Sequence, residues 1–180
     1  MENRNIDRQA LLERASETCR STVQALQLAK VPTEALAEYV APRRRLLIMR
    51  AATMRPLGDA WRLGTLLLTT DGALYALSGS TRAAERGRPG YQSESREERR
   101  ELAAAALNGG YPVGTPVNFD AVRIELDDTL GDDPELPVGI SGGELRVRWR
   151  AGAPLDGAQT LQAYVRERSE LLIHPPLGAN

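Results

Sequence analysis

The chain has 180 residues, of which 42% are hydrophobic and 26% charged, and its formal net charge at pH 7 is -1. A chain of this size buries a sizeable core without disulfides or metal ions, and its near-neutral charge gives no overall attraction to nucleic acid or to an anionic membrane. No apolar run approaches the roughly 20 residues of a transmembrane helix. The first residues lack the apolar stretch of a secretory signal, so we expect a cytoplasmic protein.

A helical pattern opens the sequence. Apolar or small residues recur at helical spacing over residues 7–29. A second, shorter helix is predicted over residues 34–40, with Thr33 as its N-cap and Pro42 after its end. We therefore predict a helical N-terminal segment, residues 1–42, which either packs on the main body or forms a homodimer through its first helix.

The pattern then changes to strands. Residues 46–49 form an apolar run of strand length, and residues 52–57 form a weaker one because Pro56 restricts it to an edge or an end. The clearest hairpin joins residues 62–70 to residues 73–80. Its turn, Asp71-Gly72, predicts type I′ geometry, and its doubly apolar strands place it at the centre of the core.

One helix is predicted in the middle of the chain, over residues 96–107. Ser95 and Glu98 have the spacing of a capping box at its start, and Asn108-Gly109-Gly110 supplies its end. Alternating apolar and polar residues then predict strands over residues 117–127 and 144–150, and the last helix is predicted over residues 158–172 with Asp156 as its cap.

The order of these elements predicts an α+β fold. Hairpins dominate, which favours an antiparallel sheet, flat or curled, with N-terminal helices, one inserted helix and a C-terminal helix. The predicted domain division is a helical segment over residues 1–42 and an α+β domain over residues 43–180.

Catalytic and metal-binding patterns are sparse. Gly139–Gly143 matches the G-x-S-x-G spacing of a hydrolase nucleophile, but a predicted strand follows Ser141, which favours a hairpin turn. Cys19 is the single cysteine and lies on the apolar side of the first helix, and His174 is the single histidine. One histidine and one cysteine strongly disfavour a zinc site, and we expect no metal or cofactor.

Arginine carries the strongest signal for binding, because the 23 basic residues comprise 22 arginines and only Lys30. Several arginines surround a glycine-rich loop that leads into the predicted central helix, where they could hold an oxyanion. The alternative is that they form surface ion pairs with neighbouring glutamates. The candidate ligand-binding residues are Arg82, Arg86, Arg88, Tyr91, Asn118 and Asp120.

Five segments together are similar to a family of small, functionally uncharacterised bacterial proteins from GC-rich genomes. They are APRR at 41–44, WRLGTLLLTTDGALYA at 61–76, RPGYQSES with EERREL at 88–102, NFDA at 118–121 and ELLIHPP at 170–176. Some members are labelled glutaminases, so the resemblance implies an amidohydrolase. The residues themselves do not supply an S-x-x-K nucleophile, because Gln27 stands three residues before the only lysine.

Two main functions therefore stand open. The first is the binding of an anionic small molecule or a protein partner through the arginine-rich loop. The second is the amidohydrolase activity that the resemblance implies. A dimerising role of the first helix is a third hypothesis.

Overall fold

Three helices and twelve strands form the part of the chain that the computed structural model describes, residues 2–45, 48–86, 94–131 and 133–176. The helices are α1 (Glu2–Leu28), α2 (Glu94–Asn108) and α3 (Leu161–Ile173). The strands are β1 (Glu34–Val40), β2 (Arg43–Arg45), β3 (Ile48–Arg50), β4 (Thr53–Leu63), β5 (Leu66–Thr69), β6 (Leu74–Ala76), β7 (Gly79–Arg82), β8 (Pro116–Phe119), β9 (Val122–Ile124), β10 (Val138–Ser141), β11 (Glu144–Val147) and β12 (Gln159–Thr160). This is the predicted α+β class, with helices at both ends and one inserted between strands.

The chain divides into two compact units, each assembled from separate stretches. Unit 1 comprises Met1–Pro32, Trp61–Ala76 and Arg123–Asn180, and unit 2 comprises Thr33–Ala60 and Leu77–Val122. Each unit has its own cluster of buried apolar side chains. No helix within the described residues has the length and apolar character needed to cross a membrane.

In unit 1, helix α1 packs its apolar side into the core. The buried residues recur at helical spacing and are Leu11, Leu12, Ala15, Cys19, Val23 and Leu26. They meet apolar side chains of α3 and of the β5–β6 hairpin. The predicted first helix is thus confirmed. Its apolar side is occupied within the unit, so a homodimer through α1, which stays a prediction, would use the opposite, polar side.

The β5–β6 hairpin lies in the core as predicted, but its turn is of another type. Leu66, Leu67 and Leu68 are all fully buried. The loop has three residues, because the amide of Thr69 donates to Ala73 O at 2.9 Å and only Gly72 has a positive φ, +89°. A type I′ turn needs positive φ at two successive residues, so that prediction is wrong.

A two-residue glycine turn joins β10 to β11 in unit 1. Gly142 and Gly143 have φ values of +60° and +74°, and Ser141 pairs with Glu144 across the turn. These are the values of a type I′ hairpin turn. Ser141 therefore ends a strand, which confirms the hairpin interpretation of the G-x-S-x-G sequence.

The residues after β11 depart from the predicted alternation. Strand β11 ends at Val147, and Arg148 is 5% exposed instead of lying on a solvent-facing side. Its guanidinium donates to the carbonyls of Ala153, Asp133 and Leu136 at 2.9, 3.1 and 2.8 Å. Arg148 is therefore a structural residue that satisfies loop carbonyls.

Strand β1 in unit 2 corrects the prediction of a helix over residues 34–40. It pairs antiparallel with β4 on one side and parallel with β8 on the other, and Ala35, Leu36 and Ala37 are buried. Helix propensity is a weak preference, and pairing on both edges outweighs it here. The β1–β8 pair is thus parallel, whereas the β1–β4, β5–β6 and β7–β8 pairs are antiparallel.

Strand β4 is longer than predicted and accommodates Pro56 at an irregularity. The register with β1 shifts between Leu36, which pairs with Gly58, and Ala37, which pairs with Pro56. Leu57 is the extra residue. A proline has no amide hydrogen for the ladder, and a bulge is where a strand tolerates one.

Two other boundaries differ from prediction. The predicted strand over residues 117–127 is interrupted at Asp120, whose φ is +51°. Helix α3 is capped by Thr160, whose side chain accepts from the amide of Ala163, and not by Asp156. The predicted strand over residues 46–49 lies partly outside the described residues; residues 43–45 and 48–50 pair as β2 and β3.

Helix α2 confirms the predicted central helix, although it begins at Glu94 and so includes the predicted cap Ser95. It ends in a Schellman motif, in which the amide of Tyr111 donates to Ala106 O and that of Gly110 to Leu107 O. Its buried residues, Ala105 and Ala106, lie in the core of unit 2.

Candidate functional site

Four of the six candidate ligand-binding residues lie in the described chain, all in unit 2. They are Arg82, Arg86, Asn118 and Asp120. Arg88 and Tyr91 lie outside the described residues.

Asn118 and Asp120 hold strands together. Asn118 is fully buried, and its Nδ2 donates to Glu34 Oε2 at 2.8 Å and to Ala35 O at 3.3 Å. The carboxylate of Asp120 accepts from the amide of Tyr39 at 3.0 Å. Asn118 lies on β8 and Asp120 directly follows this strand. Both side chains bind residues of β1 and so maintain the pairing of β8 with β1.

The two arginines also have internal partners. The Nη1 of Arg82 donates to the carbonyl of Gly114 at 2.7 Å. The Nη2 of Arg86 lies 3.1 Å from Glu97 Oε1 and 3.2 Å from Glu101 Oε1. Arg86 thus forms the glutamate pairs that the alternative interpretation predicts, yet its side chain remains 56% exposed and can be reached by a ligand.

A cleft of about 460 Å³ opens beside helix α2, and Arg86 is the one described candidate that lines it. We call it the α2 cleft. Its walls are residues 49–52 and Pro42 from the β2–β3 region and, from α2, Glu101, Ala104, Ala105, Leu107 and Asn108. Most of these side chains are apolar, and the polar groups are few.

Small residues and one anchor create the space. Ala104 and Ala105 present only methyl groups to the cleft, so that the helix surface is recessed there. The Nδ2 of Asn108 donates to the carbonyl of Ala52 at 3.0 Å and fixes the end of α2 to the opposite wall. Gly109 then passes close to β4, where an added Cβ would lie 2.2 Å from Met54 O. The cleft is therefore preformed by packing.

The charge of the lining is weakly positive. The side chain of Arg50 is exposed and, within the described residues, forms no hydrogen bond or ion pair. Arg86 shares the cleft with Glu101, its own partner. One unneutralised guanidinium and one partly neutralised guanidinium thus face an apolar surface, to which Met49 contributes a side chain that is 67% exposed.

The structure opposes a nucleophilic role for Cys19. The side chain is 1% exposed, and burial raises the pKa of its thiol to about 11. A catalytic cysteine requires the thiolate, which a depressed pKa supplies. His174 closes helix α3 with its amide donating to Glu170 O at 2.8 Å. No cluster of three potential metal ligands occurs within the described ranges.

No sequence pattern points to Arg50, Met49 and Asn108 as site residues. Met49 and Arg50 lie far from α2 along the chain and approach the segment at 101–105 only in the folded unit, whereas Asn108 lies on α2 itself. The one available signal was the unusual run of small residues Ala103–Ala106, which interrupts the surface of a predicted helix.

Comparisons with protein-family models, with curated proteins and with solved structures found no match.

Proposed function

We propose that unit 2 is a binding module whose α2 cleft takes a small anionic molecule with an apolar portion. The observation that carries the proposal is a cleft of about 460 Å³ with an apolar lining and two arginines, Arg50 and Arg86. Ligand sites of proteins are concave, mostly apolar and furnished with a few polar groups that set orientation, within about 300–1,000 Å³.

The cleft combines an apolar surface with guanidinium groups, which favours an amphiphilic ligand. The apolar groups of Met49, Ala104 and Leu107 offer burial for a hydrocarbon or ring. A guanidinium binds carboxylate through two parallel hydrogen bonds, and Arg50 has all of its donors available among the described residues. A ligand carboxylate at Arg50 and an apolar body over α2 would match both parts.

Arg86 is a second candidate for binding the anionic group of the ligand. It is the predicted ligand-binding arginine whose side chain lines the cleft, and its two glutamate partners are exposed enough for the ion pairs to exchange. Exposed ion pairs contribute only about 0–1 kcal/mol, so a ligand anion competes with them at little cost. The amidohydrolase activity implied by the resemblance receives no support from the surroundings of Cys19 or Ser141.

Decanoate is a suitable probe because it combines a carboxylate with an apolar chain. We expect a saturable titration in nuclear magnetic resonance spectra, with amide shifts concentrated at Ala104, Leu107 and Asn108. Arg50→Gln should weaken the affinity about tenfold or more, because a hydrogen bond to a charged group contributes about 1.5–3 kcal/mol. Arg86→Gln should weaken it roughly fivefold, because two glutamates already engage part of that guanidinium. Ala104→Leu should weaken it further by filling the cleft.

Arg55→Gln is the matched control for charge. Arg55 is also an exposed arginine of unit 2 in an ion pair, with Glu38, and lies outside the cleft lining. The proposal fails if decanoate produces no saturable shifts in the cleft. It also fails if Arg55→Gln and Arg86→Gln weaken the affinity equally, because binding would then depend on net charge alone.

A further inference from the structure

We propose a second binding site on unit 2, for a small phosphate monoester, at a cleft along the first half of α2. This cleft has a volume of about 370 Å³ and is lined by Arg96, Arg99, Arg100, Ala103, Ala84 and Glu85. We call it the arginine cleft. It shares no lining residue with the α2 cleft, so the inference does not rest on the function proposed above.

Helical spacing brings the three arginines together. Residues 96, 99, 100 and 103 follow the i, i+3, i+4, i+7 pattern and lie on one side of α2. Ala84 and Ala103 are small, which leaves room between the guanidinium groups. The amide of Ala84 donates to Ala103 O at 3.2 Å and fixes the floor of the cleft.

The arginines are poorly neutralised by the protein. Within the described residues neither Arg96 nor Arg99 forms an ion pair with a carboxylate. The Nη1 of Arg100 is buried and has no hydrogen-bond partner among the described residues. It forms a long ion pair with Glu97, at 3.8 Å from Oε2, and the other oxygen of that carboxylate contacts Arg86, so that one glutamate is shared by two arginines.

This arrangement works against the stability of the helix. Like charges three and four residues apart repel each other, and cations in the first turns of a helix oppose the helix dipole. Arg96 has both features, and Arg99 and Arg100 contribute the like-charge spacing. Local arrangements of this kind are typical of functional sites, because a bound anion relieves the repulsion.

The chemistry of the cleft selects the class of ligand. Arg96, Arg99 and Arg100 line one concavity, and the paired donors of a guanidinium match two oxygens of a tetrahedral dianion. The Nε of Arg99 donates to the carbonyl of Ser95 at 3.0 Å, which leaves its two terminal nitrogens for a ligand. Glu85 at the same cleft offers an acceptor for a ligand hydroxyl, so we favour a hydroxylated phosphate monoester over inorganic phosphate. The net charge of -1 disfavours a nucleic acid as the partner.

The test compares phosphate with chloride at equal ionic strength and then compares glycerol phosphate with glycerol. We expect saturable amide shifts at residues 96–103 with phosphate and tighter binding of glycerol phosphate. Arg96→Gln/Arg99→Gln should weaken phosphate binding at least tenfold. The same variant should unfold at no lower temperature than the wild type in chloride, because the repulsion is removed.

Two further variants keep the test decisive. Arg43→Gln/Arg55→Gln removes the same charge from exposed positions of unit 2 and should leave phosphate affinity unchanged. Glu85→Gln should strengthen inorganic phosphate binding about twofold to threefold by removing repulsion. If the Arg96/Arg99 variant does not fold, the phosphate affinity of Glu85→Gln tests the site. A phosphate affinity equal to that of the wild type would overturn the proposed site.

The source of the phosphate is tested separately. Vesicles that contain phosphatidic acid present the same headgroup chemistry as glycerol phosphate, and short single-stranded oligonucleotides present phosphodiesters. We expect neither to compete with glycerol phosphate at equal phosphate concentration. Preferred binding of the vesicles or the oligonucleotide would overturn the assignment to a small soluble ligand.

Discussion

Arg86 and Glu101 lie 3.2 Å apart, and both side chains line the α2 cleft. The carboxylate therefore competes with any ligand anion for the same guanidinium. Glu101→Gln removes that competitor while Glu97 still holds Arg86 at 3.1 Å. We expect the affinity for decanoate to rise about twofold to fivefold, since an exposed ion pair contributes about 0–1 kcal/mol.

The control for this prediction is Glu98→Gln, an exposed glutamate of α2 outside the lining of the cleft. It changes the net charge by the same amount. Equal gains in affinity for Glu98→Gln and Glu101→Gln, measured by calorimetric titration, would show a long-range charge effect and not the release of Arg86.

Asn118 should affect stability and not ligand binding. Its buried amide group donates to Glu34 and to Ala35 O, so Asn118→Ala leaves polar groups without this partner and opens space. We expect the free energy of unfolding in urea to fall by about 2 kcal/mol. Ser80→Ala, at the exposed position paired with Asn118, should change it by less than about 0.5 kcal/mol. A decanoate affinity that falls selectively in Asn118→Ala would restore its role in binding.

Arg148 should be essential for unit 1. Arg148→Met keeps an unbranched side chain but removes the donors to the carbonyls of Ala153, Asp133 and Leu136. We expect a loss of about 3 kcal/mol in the free energy of unfolding, because one buried and two partly buried carbonyls lose their donor. Arg150→Met removes an exposed guanidinium stacked on Trp149 and should cost less than about 1 kcal/mol. Similar losses in both variants would contradict the structural role of Arg148.

The elements that the sequence predicts correctly are those stabilised by residues close together along the chain. The apolar side of α1 and the glycine end of α2 are local patterns, and both are confirmed. Strand β1 could not be predicted, because residues 34–40 favour a helix and become a strand only by pairing with β4 and β8. Pairing partners distant in sequence leave no local signal.

The candidate sites show the same limit. The glutamate pairs of Arg86 follow from nearby charges, and the sequence predicted them as the alternative to a binding site. The α2 cleft needs residues 49–52 opposite residues 101–108, which only the folded unit provides. Alternation over residues 144–150 predicts an exposed Arg148, but β11 ends at Val147 and the pattern does not hold beyond that residue.

Cys19 should make the protein less stable in alkali. Burial raises the pKa of the folded thiol to about 11 from 9.0. The unfolded chain therefore releases the proton first, so the contribution is fully present below pH 9 and is lost as the pH rises toward 11. Between pH 8 and pH 10.5 we expect Cys19 to account for a loss of about 2 kcal/mol in the free energy of unfolding.

Cys19→Ala isolates this effect, because every other titratable group is the same in both proteins. The variant should start from a lower stability at pH 8 but lose about 2 kcal/mol less than the wild type over the interval. Parallel curves from chemical denaturation would mean that the thiol is not protected by burial.

Gly109 and Gly110 end the same helix but should differ in their tolerance of a side chain. An added Cβ at Gly109 would lie 2.2 Å from the carbonyl oxygen of Met54, a backbone atom of β4 that cannot rotate away. We expect Gly109→Ala to lower the free energy of unfolding by about 3 kcal/mol, because α2 must move from the strand.

Gly110 has free space around it, and its substitution meets only the strain of a φ of +92°. Gly110→Ala should therefore cost about 1–2 kcal/mol. Since the end of α2 is one wall of the α2 cleft, Gly109→Ala should also weaken decanoate binding, whereas Gly110→Ala should leave it unchanged. Equal losses of stability and affinity in the two variants would show that the close approach of Gly109 to Met54 does not position the cleft.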